Sequence, residues 1–403
     1  MASTYLTKTL GTPTGTKKLT ISLWVKRTTL GASQILLNQN ADYFYFHSSD
    51  YLDFEMTIGR LRTNRLFRDT SAWYHIVMAV DTTLATADDR IKMYINGVQE
   101  TSFHTRTNPS QDATFADFNT AAEHTIGRRQ TANDMFFDGI ISHYHFIDGT
   151  AYQASTFGST DSTTGEWKIN TSPSVTYGNN GFFILKDGNS VTDQSGNSNN
   201  FAVGAGTLTK TQDCPSNVFC TMSPIDKSGL SAGYSTLTNG NTRQDTVSVT
   251  QNSGSRSTLA VNSGKWYVEA KAFGSASPEF RRIGILGMDS STWMTATNSA
   301  LTSHAEGYAY KSSGDKGNNG NEVSYGSSYT NGDIVGIAFD ADNGTIWFSK
   351  NGTWQNSATT TEIQNGTTTN SAYSSIPMTR FYGFACTLAG ATSNMGFEWN
   401  FGN

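Results

Sequence analysis

Two pairs of side chains in this sequence have the residue types and spacing that chemistry needs. In Asp53-Phe-Glu55 two carboxylates alternate, and on an extended strand alternate side chains face the same way. Glycoside hydrolysis requires such a pair across a sugar, one acid to protonate the leaving oxygen and one to attack or to activate water. The run offers no third acid, so hydrolysis through Asp53 and Glu55 is the alternative activity and not the expected one. His143 and His145 alternate in the same manner and could offer two imidazoles to a metal, but no third ligand is evident beside them. His75, His104, His124 and His304 are scattered. No Gly-rich phosphate loop precedes a helix, and no Ser or Cys sits in a nucleophile elbow. The expectation is therefore a chain with no catalytic residues, no cofactor and no metal.

Binding is the better use of this composition. Sugars and partner chains are held by aromatic faces beside short polar side chains, and the chain has 8 Trp and 17 Tyr among abundant Asn and Ser. Trp293, Tyr308, Tyr310 and Lys311 fall near expected loops of the second half and are the candidate ligand contacts. Cys214 and Cys220 are close enough in sequence to be bridged. An odd count of 3 in a chain made under reducing conditions reads more simply as free thiols.

The elements that must position these groups follow from composition. At 403 residues the chain exceeds the size at which one core keeps growing, so two domains are expected. Charged residues are 15%, aromatic residues 12%, and Gly numbers 38, a mixture that starves helices and favours short strands joined by polar turns. The expected fold class is all-β, with two antiparallel, jelly-roll-like β-sandwich domains in tandem. A net charge of −5 argues against a nucleic-acid footprint, and the basic stretches at Arg60 to Arg68 and Arg128-Arg129 read as solvated strand edges. The opening residues hold no apolar run of signal-peptide length, and no later run approaches a membrane span. The expectation is a chain made in a cytoplasm without membrane insertion. On that basis the Asn-x-Ser/Thr triplets at Asn170, Asn343, Asn351 and Asn365 are turn chemistry and not glycosylation sites.

In the first half, Leu19 to Lys26 alternates so that Leu19, Ile21, Leu23 and Val25 share one face and Trp24 the other. Further strands are expected at Ser33 to Asn38, Tyr43 to His47, Tyr51 to Ile58, Ala72 to Val80 as a central strand, and Ile91 to Gln99 around an Asn-Gly turn. Phe103 to Glu123 reads as a polar excursion, and Thr125 to Gly127 with Phe136 to Ile147 close the set. In the second half, Ile334 to Phe339 and Thr345 to Ser349 form a hairpin whose Asn343-Gly344 can supply the positive φ angles of a tight reversal.

Two stretches carry family resemblances. Thr20-Ile-Ser-Leu-Trp-Val-Lys26, Ala72-Trp-Tyr-His-Ile-Val-Met-Ala-Val-Asp81, Ile91-Lys-Met-Tyr-Ile-Asn-Gly97, His124-Thr-Ile-Gly127 and Phe137-Asp-Gly-Ile-Ile141 resemble, in that order, the laminin-G-like branch of the concanavalin A-type fold. The resemblance covers residues 1–155 and implies a sugar-binding scaffold, sometimes calcium-dependent. Asp81, Asp88 and Asp89 do not form a calcium loop. An Asp-Gln-Ser-Gly-Asn run at 193–197 is similar to an element that commonly opens such domains, which suggests that residues 156–213 return to complete the first sandwich. Gly264-Lys-Trp-Tyr-Val-Glu269, Gly332-Asp-Ile-Val-Gly336, Ile346-Trp-Phe-Ser-Lys-Asn-Gly352 and the closing Asn400-Phe-Gly402 resemble a SPRY domain over residues 230–403. After Gly287 the segment Met-Asp-Ser-Ser-Thr-Trp293 keeps the Asp and Trp of that family but not the Gly that follows. The expected organisation is 1–213 as the first sandwich, 214–229 as a linker holding Pro215 and Pro224, and 230–403 as the second.

Such a tandem is similar to structural proteins of marine bacteriophages. The resemblance implies a non-enzymatic virion component, a fibre, knob or capsid decoration, assembled in the host cytoplasm. Its partners would be other virion proteins and a host-surface glycan or protein, and it would be present as a homo-oligomer or in repeated copies on the particle. A free carbohydrate-binding adhesin and a glycan hydrolase are the alternatives.

Overall fold

The computed structural model describes all residues except 1, 2, 164, 187–189, 212, 229–234, 247–251, 275–278, 296–298, 391–394 and 403. It is 47% strand and 4% helix, with antiparallel sheets throughout, so the all-β expectation holds. The chain divides into two compact units, Met1–Val218 and Phe219–Asn403.

The first unit is built from an eight-stranded and a six-stranded sheet. The eight-stranded sheet runs Phe103–Thr107, Gly59–Leu66, Tyr51–Met56, Asp42–Phe46, Gln34–Gln39, Glu123–Ile126, Tyr5–Thr9, Ala202–Ala205. The six-stranded sheet runs Phe182–Ile184, Gly139–Asp148, Lys18–Arg27, Tyr74–Asp81, Ile91–Ile95, Val98–Gln99. Alternation decides what lies between them. Leu19, Ile21, Leu23 and Val25 share one core with Phe44, Phe46, Phe54 and Leu61, all fully buried, each worth roughly 1.5–3 kcal/mol of burial. Trp24 points the other way and stacks on His75, centroids 4.8 Å apart.

Two features depart from the sequence reading. Phe103–Thr107, expected inside a polar excursion, is an edge strand on Gly59–Leu66, and Phe115 and Phe118 farther along join the core. Gly59–Leu66 is therefore paired on both sides, so Arg60 and Arg62 do not belong to an edge. The segment after residue 155 supplies edge strands to both sheets. Phe182–Ile184 pairs with Gly139–Asp148, and Ala202–Ala205 with Tyr5–Thr9. Asp193 ties that return together. Its Oδ1 accepts from Phe183 N at 2.8 Å and Ser195 N at 2.9 Å, and its Oδ2 from Ser195 Oγ at 2.7 Å and Asn199 N at 2.8 Å.

The second unit has two seven-stranded sheets. One runs Met222–Ser228, Ser253–Val261, Tyr382–Gly390, Glu279–Gly287, Gly307–Lys311, Asp315–Asn318, Asn321–Ser324. The other runs Ser235–Thr238, Arg243–Thr246, Gly396–Asn400, Lys265–Phe273, Ile334–Asp340, Thr345–Lys350, Thr353–Trp354. Met222–Ser228 falls within the stretch read as linker, yet it pairs with Ser253–Val261. Its Pro224 sits on an edge strand, where a missing N–H costs no ladder bond.

The hairpin formed by Ile334–Asp340 and Thr345–Lys350 is present, with a different turn. Asp340 pairs with Thr345, so four residues form the loop. Asp340 Oδ1 accepts from the backbone N–H of Asp342 and of Asn343, both at 3.1 Å, and only Gly344 of that loop takes a positive φ, at 62°. The two-residue Asn-Gly reversals occur instead at Asn96-Gly97 (φ 48° and 80°) and Asn351-Gly352 (φ 49° and 78°).

Candidate functional site

The outer face of the eight-stranded sheet carries a continuous group of polar and aromatic side chains. While Phe44, Phe46, Leu52, Phe54 and Leu61 point into the core, the residues between them point out. Register sets Tyr43 opposite Glu55, Tyr45 opposite Asp53, Asp53 opposite Arg62 and Glu55 opposite Arg60. Rings run along one flank: Tyr43 and Tyr45 meet edge-on at 6.3 Å, and His47 stacks on Tyr51 at 4.3 Å. Arg62 lies 4.9 Å from the Tyr51 ring.

Asp53 is the hub. It is fully buried, and its oxygens accept from Arg60 Nε at 3.0 Å, Arg60 Nη2 at 2.6 Å, Arg62 Nε at 2.9 Å and the Tyr45 hydroxyl at 3.3 Å. Glu55 takes the remaining arm of Arg60, Nη1 to Oε1 at 2.9 Å. Burial lifts the Glu55 carboxyl above its usual range against the pull of Arg60, and lifts the Tyr45 phenol to about 12. Burial also lowers the His47 imidazole below its usual range, with Arg62 adding to the shift.

This arrangement bears on the two chemistries raised by the sequence. Asp53 and Glu55 do share a face, as alternation requires. A hydrolytic pair needs one acid free to give a proton and one carboxylate free to attack, and here the Asp53 oxygens are already taken by two guanidiniums and a phenol. The histidine pair fares differently. A register shift between Ser142 and His145 puts His143 in a left-handed conformation (φ 48°). His145 is buried, stacks on Phe183 at 3.9 Å, and has Nδ1 within 2.8 Å of the Tyr177 hydroxyl. Burial, with lesser contributions from His143, His75 and Lys186, lowers it well below its usual range. Among the described residues no three His, Cys, Asp or Glu side chains group as metal ligands.

The four candidate contacts of the second unit do not converge. Tyr308 and Tyr310 point into the sandwich core, while Ala309 between them faces the opposite side of the sheet, under Trp293. Trp293 and Tyr310 are fully buried and offer no face to a ligand. Tyr310 stacks on Phe348 at 5.4 Å and donates to the Ser327 carbonyl. Tyr308 is half-buried against Tyr373 and Tyr382. Lys311 is drawn to Glu322, Nζ to Oε2 at 2.5 Å. Their nearness in sequence to loops was a poor guide, because the chain that covers the outer side of that strand comes from residues around Trp293 itself.

Sequence reasoning found Asp53 and Glu55 but missed Tyr43, Tyr45, His47, Tyr51, Arg60 and Arg62. The signal was there: three consecutive strands whose outward positions are ring, acid and arginine.

A crystal structure of the SPRY domain of human HERC1 shares 15% identity, with a TM-score of 0.34, covering 44% of this chain and 96% of that one. A crystal structure of a human SPRY domain shares 12% identity, with a TM-score of 0.29, covering 41% of this chain and 94% of that one. Residues 2–155 match the family model described as the concanavalin A-like lectin/glucanases superfamily, and residues 265–380 match the SPRY domain. The chain carries an N-terminal laminin-G-like, concanavalin A-type domain and a C-terminal SPRY domain.

Proposed function

We propose that this protein is a non-enzymatic recognition component of a bacteriophage particle, a fibre, knob or capsid decoration. Its first domain reads a host-surface glycan through the outer face around Asp53. The observation that carries the reading is the ion cluster itself. Asp53 bridges Arg60, Arg62 and Tyr45, which fixes donors and acceptors beside tyrosine rings, the pairing of stacking and hydrogen bonding that holds sugars. Arg62 gives only its Nε to Asp53, so its terminal amino groups are left for a ligand oxygen. Cations and carboxylates balance on this face, which favours an uncharged ligand. The tandem of two sandwich domains supports the virion role, since repeated weak sites on one particle gain avidity.

The test has two parts. Mass spectrometry and electron microscopy of purified particles should find the chain in a stoichiometric, symmetric position; a protein absent from particles sinks the virion role. On a glycan array, binding by the full chain should be lost in Tyr45→Ala and Arg62→Ala, and retention of binding in both would move the site elsewhere. Glycan hydrolysis is the second reading, because Asp53 and Glu55 stand on one face of the same strand. It requires release of reducing sugar that disappears in Asp53→Asn and Glu55→Gln.

A further inference from the structure

In the first unit Lys26 and Asp213 lie 187 positions apart in sequence, and their side chains meet in the interior, Lys26 Nζ to Asp213 Oδ2 at 2.7 Å, with side-chain exposures of 1% and 0%. The indole Nε1 of Trp73 donates to the other oxygen, Oδ1, at 2.9 Å. Lys26 lies on Lys18–Arg27, an inner strand of the six-stranded sheet, and Asp213 lies on the segment that returns to finish the sandwich. We propose that this site is a self-made covalent cross-link, an amide between Lys26 Nζ and the Asp213 side-chain carbonyl carbon.

The physical argument has three parts. Burying a full ammonium and a full carboxylate is costly even when they are paired, because each loses its hydration, and a neutral amide in their place removes that cost. Geometry supplies the rate: a nitrogen held at hydrogen-bond distance from one carboxyl oxygen stands within attack range of the carbon between the two, and positioning of this kind replaces a bimolecular encounter. Trp73 supplies the electrostatics, since its N–H faces the oxygen on which negative charge grows during attack.

The balance closes without any co-reactant. A proton passes from the ammonium to Oδ2, leaving an amine and an acid. The Nζ lone pair then attacks the carbon and its electrons move onto Oδ1, under the Trp73 N–H. As the C–Oδ2 bond breaks, Oδ2 departs with a second nitrogen proton as water, and one N–C bond replaces one C–O bond. The product is an amide with Trp73 donating to its carbonyl. The cysteines of this chain are free thiols, so such a bond would be the covalent closure of a loop that disulfides do not provide.

The full chain, purified and denatured, is weighed by intact-mass spectrometry. The expected mass is one water below that of the sequence, with a tryptic digest yielding a branched peptide that joins residue 26 to residue 213. Asp213→Ala should return to the unreduced sequence mass and melt at a lower temperature. Should that variant fail to fold, the wild-type mass alone decides. A wild-type chain at full sequence mass, or a missing water mapped to any other pair, overturns the proposal and leaves Lys26 and Asp213 as a buried ion pair.

Discussion

The decisive perturbation of the candidate face is Asp53→Ala. The carboxylate it removes is fully buried and serves Arg60, Arg62 and Tyr45 together, whereas the two guanidiniums retain 24% and 22% of their side-chain exposure. Removing one partner of a fully buried ion pair costs about 3–5 kcal/mol, because the other charge is stranded. Here water still reaches both arginines, so the cost is discounted to about 2–3 kcal/mol. With a urea slope near 2 kcal/mol/M, that lowers the midpoint of the first unit's transition by roughly 1–1.5 M. The control is Arg65→Ala, which breaks the pair with Glu100 at 2.9 Å but whose arginine is 50% exposed. It should change stability by less than about 1 kcal/mol. Urea unfolding of both variants, followed by circular dichroism, measures the difference. If Asp53→Ala unfolds within about 0.5 kcal/mol of the parent, the premise that this carboxylate is committed to holding the arginines is wrong, and a free, reactive Asp53 would have to be reconsidered.

Other outcomes follow from the same structure. Burial keeps His75 neutral, with its pKa lowered to about 3, and His124 likewise, to about 4. Both lie below the unfolded value of about 6.5, so the unfolded chain binds protons first and stability falls as pH drops from about 6.5 toward 4, by up to about 1.4 kcal/mol per pH unit for each ring. Asp42, raised by burial to about 6, works the other way, since the folded state takes up its proton first and gains stability as pH falls through 6. His145, lowered by burial as well, adds to the loss, so the histidines outweigh the raised Asp42 and Glu55 carboxyls, and a urea midpoint equal at pH 7 and pH 4.5 would contradict that net loss. Gly97→Ala places a Cβ 2.3 Å from the Trp167 ring at a φ of 80°, so it should cost more than about 1 kcal/mol and displace Trp167 from the His75 Nδ1 it donates to. A shift in tryptophan emission together with a lower melting temperature is the expected signature. Cys386 is fully buried, and burial pushes its thiol well above the ordinary range, while Cys214 and Cys220 are half-exposed. Iodoacetamide should label Cys214 and Cys220 in the native chain and Cys386 only after denaturation, as read by peptide mass spectrometry.

The amino-acid sequence alone determined the class of fold, the faces of its strands and much of its turn chemistry. Leu19, Ile21, Leu23 and Val25 had to share a side because side chains on a strand alternate, and Asn96-Gly97 and Asn351-Gly352 had to reverse the chain because those residues tolerate positive φ. Alternation also put Asp53 and Glu55 on one face. Which of a strand's two faces stays covered, and by what, was decided only in three dimensions. Met222–Ser228 became a strand because Ser253–Val261 was there to pair with it, and Ala202–Ala205 because Tyr5–Thr9 offered an open edge. Trp293 and Tyr310 went inside, on opposite sides of one sheet, for the same reason. Local periodicity records a residue's neighbours along the chain; burial, ion pairing and the meeting of Lys26 with Asp213 depend on partners far away in sequence, which no local pattern encodes.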